Sequence, residues 1–291
     1  MILQAPVMQL ANASDDDVLG LGTVAVMGIL NATPDSFSDG GQFDSVSSAV
    51  DHALRMVEAG ASIIDVGGES TRPGAGAVSE TQELERVIPV IEALRARSDV
   101  LISIDTSKPA VMRAAVRAGA GMINDVRALQ LPDAIRTAAA ANVPVCLMHM
   151  QGTPGSMQDA PQYDDPVVEV MAFLQRRIEA CVAGGVMREH LIVDPGFGFG
   201  KRLSDNLVLI QQLQAFKQFG LPLLVGLSRK SMLGQITGRA THQRLIGSVI
   251  LAAECARRGA DIVRVHDVAE TCEALQVMAA VLNSLQETEA T

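Results

Sequence analysis

The chain has 291 residues and a formal net charge of −10, and it is 48% apolar but only 3% aromatic, with no Trp. That length suits one large domain or two small ones, with a core built from aliphatic side chains. The negative charge argues against nucleic acid or an anionic membrane as the main partner, and an anionic substrate would need a local cationic site to overcome the global field.

Taken in order, residues 1–20 carry the acidic run Asp15-Asp16-Asp17 and read as a leader, poorly ordered or lid-like, without the basic-then-apolar pattern of a signal peptide. An apolar run over 24–30 reads as a buried strand and opens into Asn31-Ala32-Thr33-Pro34-Asp35-Ser36-Phe37, a loop of oxygen donors with one large apolar side chain. A helix over 46–59 stops at Gly60, a strand over 62–68 leads into Glu69-Ser70-Thr71-Arg72-Pro73, and a helix over 79–97 follows. The third strand, 100–104, ends in Asp105, and a helix from about 109 ends at Gly119. Met122-Ile123 leads into Asn124-Asp125, a helix spans 132–141, and a strand over 143–148 ends at His149. After a loop, a helix over 166–183 precedes a strand at 191–193 that ends in Asp194, with the glycine-rich run 196–200 and Lys201 behind it. A helix running to about 218 leads to a strand at 222–226 and then Ser228-Arg229-Lys230-Ser231, read as the start of a short helix with an anion-favouring N-terminus. A helix over 243–258, a strand over 261–266 carrying Arg264 and His266, and a last helix complete the chain. Cys146, Cys181, Cys255 and Cys272 lie far apart and read as reduced thiols of a cytoplasmic protein. No apolar run approaches the roughly 18 residues that a membrane span needs.

Eight apolar strands, each followed by a helix, fit a single-domain α/β fold, the TIM (β/α)8 barrel, over residues 21–285 with a short tail at 286–291. A doubly wound open sheet is the alternative. In a barrel of this kind the active site lies at the C-terminal ends of the strands. The residues there are Asn31, Asp65 or Glu69, Asp105, Asn124, His149, Asp194, Ser228 or Lys230, and Arg264 or His266, all polar. Asp105, Asn124 and Asp194 suit a fused heterocycle bearing N–H donors, since a carboxylate accepts paired N–H bonds. Arg264 and His266, two apart on one strand, share a face and suit a flat ring and a phosphate. The glycines of 196–200 lack the spacing of a dinucleotide fingerprint and come too late in the chain; they are expected to let the backbone pass close to a ligand that Phe199 covers. His149 either lines the pocket or hydrogen-bonds the loop after it.

These motifs resemble those of the dihydropteroate synthases. Residues 26–41 resemble the first signature of that family and residues 63–74 the second. Ile104-Asp105-Thr106-Ser107-Lys108, Ile123-Asn124-Asp125, His149-Met150-Gln151-Gly152, residues 194–201, residues 226–231 and Arg264-Val265-His266-Asp267-Val268 follow in the same order. The resemblance covers about residues 22–284. It implies an enzyme that joins (7,8-dihydropterin-6-yl)methyl diphosphate to 4-aminobenzoate, releasing diphosphate, with Mg²⁺ as cofactor.

By position, the resemblance places a pterin pocket on Asp105, Asn124, Asp194 and Lys230, walled by Met148 and Phe199. It places a diphosphate site on Asn31, Thr71, Arg264 and His266, with Asn31 also bound to Mg²⁺, and an aminobenzoate site on Phe37, Arg72, Pro73, Lys230 and Ser231. Arg264, His266, Lys230 and Asp105 are the residues expected to carry catalysis, by an SN1-like loss of diphosphate, and a homodimer is expected. The rivals are the methyltetrahydrofolate-binding domain of a corrinoid methyltransferase, and a pterin-binding protein without catalysis.

Overall fold

The computed structural model describes residues 24–32, 42–70, 76, 78–152, 157 and 161–289. Eight parallel strands, β1 (Ala25–Asn31), β2 (Ile63–Gly67), β3 (Leu101–Asp105), β4 (Met122–Asp125), β5 (Val145–Met148), β6 (Leu191–Asp194), β7 (Leu224–Val225) and β8 (Ile262–Val265), form one sheet in the order β6-β5-β4-β3-β2-β1-β8-β7. A parallel bridge between Val193 and Leu223, with the Val193 N–H donating to Pro222 O at 3.0 Å, brings β7 back against β6 and closes the barrel. The leader 1–20 lies outside the described residues.

The helices lie outside the strands: α1 (Gln42–Glu58), α2 (Glu80–Arg95), α3 (Pro109–Ala118), α4 (Ala134–Ala141), α5 (Pro166–Ala183), α6 (Leu203–Gln211), α7 (Ser231–Thr237), α8 (Leu245–Arg257) and α9 (Val268–Glu289). Their ends follow local chemistry. Ser79 and Gln82 exchange a capping box at the start of α2, and Pro109 opens α3 where its missing N–H costs nothing. The helix expected to reach about 218 instead ends at Gln211 and continues as a 3₁₀ segment, Leu213–Phe219. Leu213, Phe216 and Phe219, all buried, recur every three residues, which is the 3₁₀ period, so burying that stripe favours the tighter winding. Among the described residues no helix is long and apolar enough to cross a membrane.

Side chains alternate across each strand, so the chain builds two cores. The outward residues pack under the helices in one continuous cluster that includes Ile64, Val66, Ile102, Ile104, Leu147 and Val193. The inward residues Met27, Ile63, Leu101, Met122, Cys146, Ile192, Leu224 and Ile262, with Ala25, plug the lower barrel. Two residues further along five of the strands, the inward positions turn polar, at Asp65, Ser103, Asn124, Asp194 and Arg264, while β1 and β5 carry Ile29 and Met148 and the position after β7 is Gly226. The apolar plug thus supports a polar upper layer from below.

Candidate active site

Register sets the polar layer. Asp105 pairs with Asn124 across β3 and β4, Met148 with Asp194 across β5 and β6, and Gly67 with Asp105 across β2 and β3. Asp105, Asn124, Met148 and Asp194 are all buried at the upper ends of their strands. Arg264 reaches across the barrel from β8. Its Nε donates to Asp65 Oδ2 at 2.6 Å and its Nη2 to Asp105 Oδ2 at 2.8 Å. Asn124 Nδ2 donates to the same Asp65 oxygen at 2.9 Å.

Electrostatics follow from packing three buried carboxyls around one guanidinium. Burial pushes Asp105 up from 3.8 to about 7; Arg264 opposes the rise, while Asp65, Glu83 and Asp125 add to it. Asp194 is raised by burial as well, against the charge of Lys230 and the Gly196 N–H that its Oδ1 accepts at 2.7 Å. Burial would lower the affinity of Arg264 for its proton, but Asp65 and Asp105 outweigh it and hold the guanidinium charged.

Lys230, just before α7, completes the wall. Its Nζ donates to Phe197 O and stands 4.6 Å from the centre of the Phe199 ring, a cation–π contact. Burial lowers its pKa to about 8, with Asp194 pulling upward and Arg264 pushing further down. Above β8, Ser228 Oγ accepts the backbone N–H of His266 at 3.2 Å and sits 2.9 Å from its Nδ1. A hydroxyl hydrogen given to Nδ1 leaves Nε2 to carry the ring proton.

The structure therefore brings together Asn31, Asp105, Asn124, Met148, Asp194, Phe199, Lys230, Arg264 and His266 around one barrel mouth. Ser231 is exposed at the first position of α7, beside Lys230. Arg229, at φ 58°, turns away to pair with Asp267. Phe37, Thr71, Arg72 and Pro73 lie outside the described residues.

In the glycine run behind β6, two glycines answer to packing within the protein. Gly196 and Gly200 have φ of 67° and 60°, and a Cβ on either would lie 1.8 Å from His149 O or 2.4 Å from Gln151 O. These two glycines let the backbone press against the loop after β5. Buried Lys201 locks that contact, its Nζ donating to Gly196 O at 2.8 Å and Phe199 O at 3.1 Å and lying 2.9 Å from His149 Nδ1. His149, whose pKa burial and Lys201 hold at about 2, is thus a neutral bracket for the loop behind β6.

The comparisons bear on what this mouth serves. The pterin binding enzyme family matches residues 27–266. The chain is 54% identical over 266 residues to the dihydropteroate synthase of Escherichia coli, spanning 91% of this chain and 94% of that relative. The chain belongs to the dihydropteroate synthase family. Among solved structures, it superposes on the dihydropteroate synthase of Xanthomonas albilineans with 4-aminobenzoic acid at a TM-score of 0.85 and 54% identity, covering 90% of this chain and 94% of that one. The same organism's dihydropteroate synthase in complex with 7,8-dihydropteroate matches at 0.83 and 50%, covering 90% and 95%.

In this dihydropteroate synthase family member, sequence reasoning left Asp65 and Glu69 as alternatives at the end of β2 and gave Lys201 no role. Asp65 sits mid-strand rather than at a strand end, fully buried beneath Asn124 and Arg264. Its signal was a lone acid inside an apolar run, which is costly unless paired. Lys201, between Gly200 and Arg202, carried no such signal, because its buried partners come from the loop after β5 and the glycine run. Glu69, the other candidate at the end of β2, serves the loop instead: it accepts from Lys108 Nζ at 2.5 Å and from Val78 N–H at 3.2 Å, while Lys108 also donates to buried Glu83.

Proposed function

We propose that the protein condenses (7,8-dihydropterin-6-yl)methyl diphosphate with 4-aminobenzoate to give 7,8-dihydropteroate and diphosphate. The observation that carries this reading is the convergence of Asp105, Asn124 and Asp194 with Lys230 and Arg264 on one mouth, in a chain of this family. The relatives bound to 4-aminobenzoic acid and to 7,8-dihydropteroate support both the second substrate and the product.

In this reading Asp105, Asn124 and Asp194 accept the N–H groups of the pterin edge, between walls of Met148 and Phe199, and Lys230 faces a ring acceptor. Arg264 covers the ring face and, with His266 and Thr71, receives the diphosphate. Asp105 gives up its bond to Arg264 as it turns to the pterin, and the gain of N–H donors holds it ionised. The C–O bond to diphosphate breaks first and its electron pair leaves with the phosphate oxygen. Asp105 and Asp194 lower the energy of the pterin cation, while Arg264 and His266 stabilise the charge that leaves. The aromatic amine of 4-aminobenzoate then attacks the methylene carbon through its lone pair and sheds a proton to water. Phe37, Arg72, Pro73 and Ser231 would hold that substrate.

Asn31, half-buried at the end of β1, offers a hard amide oxygen suited to Mg²⁺. Among the described residues no group of three or more His, Cys, Asp or Glu could hold a metal, which suits an ion bound mainly through substrate phosphates. When bound, Mg²⁺ would neutralise diphosphate charge. A homodimer belongs to the same proposal: Ile246 and Ile250, one turn apart on α8, and Ile236 on α7 are 73%, 60% and 52% exposed, a candidate apolar contact. Light scattering at micromolar concentration should report twice the chain mass, and a monomer would contradict it. The four free cysteines fit a reducing compartment such as the cytoplasm.

The activity is tested by mixing the protein with the pterin diphosphate, 4-aminobenzoate and Mg²⁺. Diphosphate release that requires both substrates and matches dihydropteroate formed is the expected result. No release, or release that ignores 4-aminobenzoate, would overturn the reading.

A further inference from the structure

Asp65 touches two residues of the pocket and is itself 0% exposed, so a ligand in the mouth cannot reach it. One of its oxygens does all the visible work: Oδ2 accepts from Arg264 Nε at 2.6 Å and from Asn124 Nδ2 at 2.9 Å. Its Oδ1 has no partner among the described residues, and neither has the Oγ of Ser103, its register neighbour on β3. The barrel therefore carries a buried carboxylate that ties Arg264 of β8 and Asn124 of β4 to one point on β2.

We propose that Asp65 is a positioning residue that sets the hydrogen-bonding polarity of the pterin pocket. An ionised carboxylate only accepts hydrogen bonds. Asn124 must therefore aim its Nδ2 downward at Asp65, which leaves its Oδ1 as an acceptor on the cavity side. With Asp105 and Asp194 on either side, the wall formed by β3, β4 and β6 then presents acceptors only, opposite the donor Lys230, and that wall takes a ligand edge made of N–H donors. The same oxygen grips Arg264 by Nε, so the guanidinium keeps its place when Asp105 leaves it for the ligand. Asp65 thus fixes one donor–acceptor choice on β4 and one plane on β8 from a single point on β2. An edge bearing acceptors where the donors belong would meet lone pairs, which is the basis of selectivity.

This inference rests on the pterin reading above, and the test separates the two. Calorimetry with 6-hydroxymethylpterin is run on the wild type, Asp65→Asn and Asp65→Ala, alongside the KM for each substrate. Asn keeps the shape and one acceptor but not the charge, and it should weaken pterin binding about 10-fold; Ala, which leaves both donors unmet, should weaken it about 100-fold. The KM for 4-aminobenzoate should stay within about twofold in both variants, because the hydrogen bonds lost belong to the pterin pocket. If the Ala variant does not fold, the isosteric Asn variant decides alone. Pterin affinity unchanged in Asp65→Asn, or KM values for both substrates rising in parallel, would overturn the role of Asp65. A wild-type protein that binds no pterin would overturn the functional reading itself, and this inference with it.

Discussion

Replacing Asp105 with Asn should make the ligand-free protein more stable at pH 8, although it removes a residue of the proposed pocket. Asp105 is buried, and its pKa is raised from 3.8 to about 7, chiefly by that burial. A folded-state pKa above the unfolded one means the native state holds the proton more tightly between those values. Stability from this group is then fully present below about pH 4 and is lost as pH rises through 7. A displacement from 3.8 to about 7 corresponds to about 4 kcal/mol. Because Arg264 already opposes the rise, its attraction is contained in that figure. Asn resembles the protonated acid and escapes the penalty. Allowing for a strongly coupled site, the variant should gain about 2–4 kcal/mol at pH 8, or about 4–8 °C in melting temperature. Thermal unfolding of both proteins from pH 4 to 8 should give curves that meet at the acid end and part steadily above pH 5. A variant that is equally stable or less stable at pH 8 would refute the claim that this carboxylate is held ionised at a cost, ready for a ligand.

Other variants separate binding from scaffold. Asp194→Asn should weaken pterin binding by about 2–4 kcal/mol, the scale of a charge-assisted buried hydrogen bond, and unchanged affinity by calorimetry would remove Asp194 from the pocket. Lys201→Met leaves two buried carbonyls and a ring nitrogen without their donor and should cost about 2–4 kcal/mol of unfolding free energy in urea titration; a loss below about 0.5 kcal/mol would show the bracket to be idle. Gly196→Ala, whose Cβ would stand 1.8 Å from a backbone oxygen, should cost at least about 3 kcal/mol, while Gly220→Ala, with φ of 60° but nothing within 4 Å, should cost about 1–2 kcal/mol. Equal losses at the two glycines would contradict the tight packing of the loop behind β6.

Much of this architecture could be read from the residues because each βα unit repeats one pattern. An apolar run ends in a polar residue, a glycine or cap closes the helix, and eight such units leave little choice of fold. Asp105, Asn124, Asp194 and Arg264 were visible for the same reason: a polar side chain where an apolar run stops marks the rim. What was not visible is depth. Asp65 lies two residues below the end of β2, and only the register with β3 and the reach of Arg264 from 199 positions away show that it supports the pocket rather than lining it. The bracket from Lys201 to His149 spans 52 positions, and the contact from Lys108 to Glu69 spans 39, so neither shows in local spacing. The glycines after β6 were correctly read as places of close approach. At Gly196 and Gly200 the neighbour is the loop after β5, and at Gly198 it is the Lys230 side chain; a sequence does not say which surface a glycine approaches.

The central claim is that the polar layer over the apolar plug receives the pterin diphosphate. A crystal structure of the protein with that substrate tests it most directly. The account predicts the pterin edge against Asp105, Asn124 Oδ1 and Asp194, Arg264 released from Asp105 but still bound to Asp65, and the diphosphate beside Asn31 and His266. A pterin seated elsewhere, or an Arg264 that still bridges Asp65 and Asp105 beneath a bound substrate, would contradict it.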